Sequence, residues 1–193
     1  MHGETAGRIL TTAKELMMER GYSAFSYADI AEAVEIRKAS IHHHFPTKAE
    51  LVVAVLKAHR EGLVEATEML DQKVRDPLAR IRSYVQHWEG CIRDQTAPFC
   101  IAALLGAEVP ALPEEVQAEV QLHFTTLAAW LEKTLKQGVK LQALKLQSSA
   151  ASEAQVLMAV VHGAMLSARA TQSGEIFKIV TDAALKRISL PKQ

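Results

Sequence analysis

Three consecutive histidines, His42, His43 and His44, stand inside the stretch KASIHHHF, residues 38–45. Imidazoles ligate metals, titrate near neutral pH and meet phosphate or base edges. The run could therefore be a metal site, the remnant of a tag or the exposed side of a helix. Side chains at i, i+1 and i+2 of a helix point about 100° apart, so three in a row cannot converge on one ion. A metal pair on a helix needs i, i+3 or i, i+4 spacing, and a tag sits at a terminus rather than between Ile41 and Phe45. No metal and no other cofactor is expected. The rest of the sequence holds no paired acids at a suitable spacing, no HExxH, no glycine-rich phosphate loop and no Ser/His/Asp set pinned by context. An enzyme is not expected either.

Composition narrows the classes further. The chain has 193 residues, 49% hydrophobic and 23% charged, an ordinary balance for a globular protein long enough to bury its own core. Its formal net charge is zero, so any affinity for nucleic acid must come from local placement of charge rather than a bulk field. Two cysteines, Cys91 and Cys100, are too few for a disulfide framework and suit a reducing compartment. The opening MHGETAGRILTTAKEL carries charges where a signal peptide needs an apolar core, and no apolar run reaches the roughly 20 residues that span a bilayer. A cytoplasmic protein without a membrane partner is expected.

Helical periodicity runs almost everywhere, and no segment reads as a strand. Ile9, Ala13, Leu16 and Met17 share one face of a first helix that Gly21 ends. Ser26, three residues before Asp29, is an N-cap for a short helix near 27–34, and a second short helix follows near 38–44. Pro46 and Thr47 separate it from a longer one, about 48–72. Asp76 and Pro77 open a helix to about Asp94. A short apolar helix, about Cys100–Val109, lies between the loop signals QTAPFC and VPALPEE. Leu112 and Pro113 open a long helix with Val116, Val120, Phe124, Leu127, Trp130, Leu131 and Leu135 inside. Ser152 can cap the next, to about Thr171, and the last ends near Ile188. The expected fold is all-α, about nine helices.

Within that frame YADIAEAVEIRKASIHHHF has the spacing of a helix-turn-helix. Ile30 and Val34 lie one turn apart on the first helix, Ile36 plugs the turn, Ile41 faces back from the second, and Ala31 allows close approach. A generic helical hairpin would share some of this, but so brief a turn with Ala at the crossing favours the DNA-binding version.

GYSAFSYADIAEAV…KASIHHHFPTKAELV resembles the N-terminal DNA-binding domain of the TetR family of transcriptional repressors. Gly21, Tyr22, Ser26, Ile30, Ala31, Phe45, Lys48 and Leu51 stand where the family pattern wants them, over roughly the first 55 residues. The resemblance implies a helix-turn-helix domain over 1–47, a connecting helix over 48–75 and a ligand-binding and dimerisation domain over 76–193. It places His42 and His43 on the DNA-facing surface and His44 against a neighbouring helix. Arg37, Lys38 and Ser40 lie at the end of the recognition helix that enters the major groove. Ser26, Thr47 and Lys48 suit phosphate oxygens at helix starts.

Two departures stand out. Glu35 occupies a turn position that usually carries Gly, at a cost on the order of 1 kcal/mol for positive φ. His42 and Ala39 replace a typical Tyr and Gly. Lys and Arg at 8, 14, 20, 37, 38 and 48 face acids at 4, 15, 19, 29, 32, 35 and 50, six against seven, a weak electrostatic footprint. Affinity for DNA is then expected to lean on local contacts and on histidine protonation, rising as pH falls toward 6.

In the resembled family the C-terminal part pairs two subunits through its last two long helices and holds a small molecule whose binding releases DNA. Ala159, Gly163, Ala164 and Ala168 would allow close approach along ASEAQVLMAVVHGAMLSARAT. Candidate effector contacts are Trp88, Phe99, Leu104, Phe124 and Leu127, with Trp130, Met158, His162 and Met165, though such a stripe also reads as plain core. PFCIAALLGAEV and SEAQVLMAVVHGAMLSARA are similar to a subgroup that includes the repressor of N-ethylmaleimide reductase. There a Cys opening the short helix senses electrophiles or oxidants beside a basic residue; Cys100 and Arg169 match, and a buried structural Cys is the alternative. The implied partners are double-stranded DNA, a small-molecule inducer and a second copy of the chain. A helical interaction protein of the same fold that has lost DNA binding is the other reading.

Overall fold

The computed structural model describes residues 3–96 and 99–190. Among them are nine α-helices: α1 (Glu4–Arg20), α2 (Tyr27–Val34), α3 (Lys38–His44), α4 (Lys48–Lys73), α5 (Pro77–Arg93), α6 (Ile101–Gly106), α7 (Glu114–Lys140), α8 (Ala150–Thr171) and α9 (Gly174–Ile188). A short 3-10 turn, η1 (Val109–Ala111), lies between α6 and α7. The described residues form two compact units, 3–62 with 101–123 and 63–96 with 99–100 and 124–190, so α4 and α7 contribute to both.

In the first unit, α1 buries Ala6, Ile9, Ala13 and Met17, the period-3.6 stripe that its sequence carries. Leu16, expected on that face, is half-buried beside it. Ile30 and Val34 of α2, Ile41 of α3 and Leu51, Val52, Val55 and Leu56 of α4 are also buried, closed off by Phe25 and Phe45. Ser26 caps α2: its Oγ accepts from the Ala28 amide at 3.2 Å and donates to Asp29 Oδ2 at 2.6 Å, while its own amide donates to Asp29 Oδ2 at 2.7 Å. These bonds hold the Asp29 carboxyl below the usual carboxylate range.

The turn between α2 and α3 has the geometry that its length demands. Glu35 is left-handed, φ 58° and ψ 44°, and the Ile36 amide donates to the Ala31 carbonyl at 3.0 Å, the long-range bond of a Schellman motif. Arg8 supplies a further donor, its Nη2 reaching the Val34 carbonyl at 2.8 Å. A side chain in this conformation is strained, and Glu35 is exposed, so nothing offsets the strain through packing. Glu35→Gly is expected to stabilise the chain by about 1 kcal/mol, a rise of about 2–4 °C in thermal midpoint measured by circular dichroism.

The second unit is built on polar hubs as well as apolar packing. Arg80, 8% exposed, donates Nε to the Val74 carbonyl at 2.6 Å and Nη1 to Gln137 at 2.6 Å and Asp71 at 3.2 Å. Asp71 also accepts from Trp130 Nε1 at 3.2 Å and Lys133 at 2.8 Å, so the buried guanidinium is neutralised and saturated. Glu153, 1% exposed, bonds Arg187, the Ser148 hydroxyl and the Gln147 amide, which ties α8 to α9.

Two local expectations are corrected. Ser149, not Ser152, caps α8, accepting from the Ser152 amide at 3.1 Å, because the helix begins at Ala150, three residues before the start that a cap at Ser152 would set. The short apolar helix stops at Gly106, and Val109, Pro110 and Ala111 form the tighter 3-10 turn. One isolated antiparallel bridge joins Leu144 to Ser189, and among the described residues no strand is formed.

Candidate nucleic-acid interface and effector site

The outer side of α3 carries the residues expected to meet DNA. Arg37, Lys38, His42, His43 and Thr47 are exposed, and Ser40 is half-buried at the first turn. Arg37 is the N-cap of α3 with extended backbone, so it and Lys38 project from the helix start, and neither makes an ion pair among the described residues. His44 is half-buried between its neighbours, its ring 5.5 Å from His43 and 6.4 Å from Phe45.

His42 is held rather than loose. Its ring lies 4.7 Å from that of Tyr27, and Nδ1 is 3.1 Å from the Pro46 carbonyl. Tyr27 is fixed in turn by its hydroxyl, which donates to the Phe45 carbonyl at 2.8 Å. Burial, with Glu50 and Tyr22 adding to it, pushes the Tyr27 phenol up to about 12, so it stays a neutral donor. Sequence reasoning passed over Tyr27, whose only signal was an aromatic at the first position of α2.

Lys48 differs from a simple surface cation. Its ammonium donates to the Phe25 carbonyl at 2.5 Å and lies 4.7 Å and 4.1 Å above the rings of Tyr22 and Phe25. Burial lowers its pKa, opposed by Asp29 and Glu108. Ser26 and Thr47 are engaged in caps: Thr47 Oγ1 accepts from the Glu50 amide at 3.1 Å and donates to its carboxylate at 3.2 Å.

One acidic residue joins α1 to the segment after α6. The Glu108 carboxylate accepts from the Tyr22 amide through both oxygens, at 3.1 and 3.2 Å. It lies so close to Gly21 that a Cβ there would collide with it, and Gly21 has φ 78°. Two constraints thus demand glycine at 21. No sequence pattern announces Glu108, because its partner is 86 residues away.

The candidate effector residues are divided. Leu104 lies on α6 in the first unit, half-buried. In the second unit Trp88, Phe99, Cys100, Leu127, Trp130, Met158 and Met165 are buried, Phe124 and His162 half-buried, and Arg169 exposed. Phe124 and His162 meet edge to face at 5.2 Å, and the Arg169 guanidinium lies 5.7 Å above the Phe99 ring. The Trp130 ring lies 6.0 Å from Tyr84, a buried α5 residue that no sequence signal singles out. Cys100 is a fully buried thiol.

Burial drags the His162 pKa down from 6.5 to about 4, so the ring is neutral at physiological pH. Below pH 6.5 the unfolded chain takes up a proton that the folded chain refuses. Stability is therefore full above pH 6.5 and declines as pH falls toward 4, by about 3 kcal/mol from this group. Urea midpoints at pH 7.5 and 4.5 check this: His162→Gln is expected to flatten the difference by that amount.

A three-helix head with an exposed helix-turn-helix, joined in one chain to a larger helical unit, is the architecture of a DNA-binding transcriptional regulator. Residues 9–55 match the family described as bacterial regulatory proteins, tetR family, and residues 77–184 match the tetracyclin repressor-like C-terminal domain. A TetR-family transcriptional regulator from Agrobacterium tumefaciens has a crystal structure that superposes with a TM-score of 0.94 at 45% identity, covering 96% of this chain and 98% of that one. The HTH-type transcriptional repressor NemR of Escherichia coli strain K12 is 27% identical over 175 residues, 89% of this chain and 87% of its own. The reduced form of Escherichia coli NemR superposes with a TM-score of 0.86 at 25% identity, covering 98% and 100%. The chain belongs to the TetR family of ligand-responsive, DNA-binding regulators. Among the described residues no helix is long and apolar enough to cross a membrane.

Proposed function

We propose that the protein is a homodimeric repressor that binds a palindromic operator through α3 and leaves it when a small molecule occupies the C-terminal unit. The observation that carries the reading is the presentation of Arg37, Lys38 and His43 on the exposed side of α3, above a fully buried Ile41. Arg37 is suited to fork onto guanine or a phosphate, and Lys38 to add a phosphate contact. Ser40, Ser26 and Thr47 stand at helix starts, where amides and hydroxyls favour anions. His42, held by Tyr27, gives His43 a fixed frame. Lys48 in this account sets the shape of the head and contributes charge only secondarily.

Pairing is supported by the outer side of the α8–α9 hairpin. Leu166 and Ile179 are each 59% exposed, Val156 38% and Val180 36%, and Ala159 and Gly163 are exposed between them. A second copy covering this apolar face by the same face is the arrangement that twofold symmetry allows.

Release by an effector draws on Trp88, Phe124, Leu127, Trp130, Met158, His162 and Met165 in the second unit, and Leu104 of α6 is the candidate that the first unit holds. Cys100 and Arg169 are the candidates for an electrophile instead. Full burial of the thiol favours the small molecule. Mass spectrometry after mild maleimide treatment checks this: Cys100 is expected to stay unmodified in native protein.

Gel shift on the DNA upstream of the chain's own gene tests the function. A retarded band that competitor DNA of unrelated sequence does not remove supports it. No shift at any concentration favours an interaction protein that has lost DNA binding, a reading to which the exposed Glu35 carboxylate beside α3 lends weight.

A further inference from the structure

Buried polar atoms without partners are the unusual feature of the second unit. Among the described residues, the Tyr84 hydroxyl, the Trp88 Nε1 and the His162 Nε2 have no hydrogen-bond partner. Tyr84 and Trp88 are each only 7% exposed, so water does not serve them freely. Native proteins satisfy almost every buried donor, and orphans mark places where something else supplies the partner. Tyr84 and Trp88 stand four residues apart on α5, so both polar tips lie on one side of the helix. Burial pushes the Tyr84 phenol up and the neighbouring Cys100 adds to this, while the Trp88 N–H, near the phenol oxygen but outside hydrogen-bond geometry with it, works the other way, so the two polar tips and the thiol lie close together.

The chemistry of these groups restricts what they can hold. An indole N–H donates and never accepts, and a phenol that keeps its proton donates as well. Two donors side by side match the two lone pairs of one carbonyl oxygen. An anion would need a cation at the two donors; Arg80, one turn before Tyr84, is bound by Asp71, Gln137 and the Val74 carbonyl, and the exposed Arg169 lies over the Phe99 ring. A cation would need an uncommitted acid, and Asp71 and Glu153 are taken by Arg80, Lys133 and Arg187. Apolar walls come from Trp130, whose ring meets Tyr84 edge on. We propose that Tyr84 and Trp88 together grip the acceptor oxygen of a neutral, largely apolar carbonyl compound, and that this is the effector class of the protein. The proposal rests on the reading that the C-terminal unit takes a small molecule.

The test uses the full chain labelled with 15N at tryptophan, whose two indole N–H signals are assigned with Trp88→Phe. Three probes of one shape are compared: 2-acetonaphthone, with a carbonyl; 2-ethylnaphthalene, without one; and 2-naphthoate, an anion. The ketone is expected to move the Trp88 signal downfield and to bind about fivefold more tightly than the hydrocarbon. Tyr84→Phe is expected to remove about fivefold of the ketone affinity and to leave the hydrocarbon's unchanged. Equal binding of ketone and hydrocarbon, preference for the anion, no binding of any probe, or a Trp88 signal already at a hydrogen-bonded position in the free protein overturns the proposal. Gel shift in parallel separates the two readings. Hydrocarbon that releases DNA as well as ketone does removes the carbonyl preference but keeps ligand response. If the ketone binds as described and DNA stays bound, the grip stands and its role as effector site is overturned.

Discussion

Replacing Arg37 and Lys38 together by alanine is expected to lower affinity for the upstream DNA by about 100-fold, since each direct bond to a base edge or phosphate is worth roughly 1–3 kcal/mol. Both side chains are exposed and lie outside every ion pair described, so folding should be untouched. An unchanged circular dichroism spectrum and thermal midpoint are the controls. Salt dependence adds a second readout: the slope of log affinity against log salt should flatten by about 0.9 for every phosphate that the variant no longer neutralises. With six basic against seven acidic residues in the first 50, the head has little general attraction for DNA to fall back on. An affinity that hardly changes would mean that α3 is not the reading helix.

The second large effect lies far along the chain. Leu166→Glu with Ile179→Glu puts two carboxylates where 59% exposed apolar side chains now stand. In an isolated subunit this surface faces water and the substitutions should be tolerated. In a pair they would bury charge without a partner, so light scattering is expected to show a single subunit. Operator binding should then weaken by about 100-fold or more, because each half-site loses the effective concentration that its tethered neighbour supplied. Preserved pairing, with the helical content intact, would move the interface elsewhere.

Much of the architecture was legible because it is local. Ser26 with Asp29, Asp76 with Pro77, and Gly21 after a periodic stripe are end signals that act within a few residues, and the helices start or stop where they stand. The turn at Glu35 was legible too, for a subtler reason. The resemblance to the TetR pattern puts a residue that is usually Gly at position 35, and the backbone takes the left-handed conformation with a glutamate in place. QSSAASEAQ holds three serines, and Ser152, expected as the cap of α8, lies inside the first turn instead; Ser149 takes the cap, and the buried Glu153 one turn on bonds Gln147 and Ser148.

What stayed hidden depends on distant partners. Glu108 grips the Tyr22 amide across 86 residues, and nothing near either of them hints at it. Tyr84 reads as one more core aromatic until its hydroxyl is found without a partner. His123 is similar: the apolar stripe of α7 suggests Phe124 as the inward residue, yet His123 is 2% exposed and stacks at 4.9 Å on His59, while Phe124 is half-buried. Periodicity names a face of a helix, and tertiary packing decides which neighbour on its margin goes inside.

Hydroxyl-radical footprinting of the upstream DNA tests the central claim most directly. A pair of α3 helices related by twofold symmetry predicts two protected patches of like sequence on opposite strands. Their centres should lie a whole number of helical turns apart, roughly 10 base pairs or a multiple of it. One unsymmetrical patch, or none at concentrations that saturate a gel shift, would contradict it.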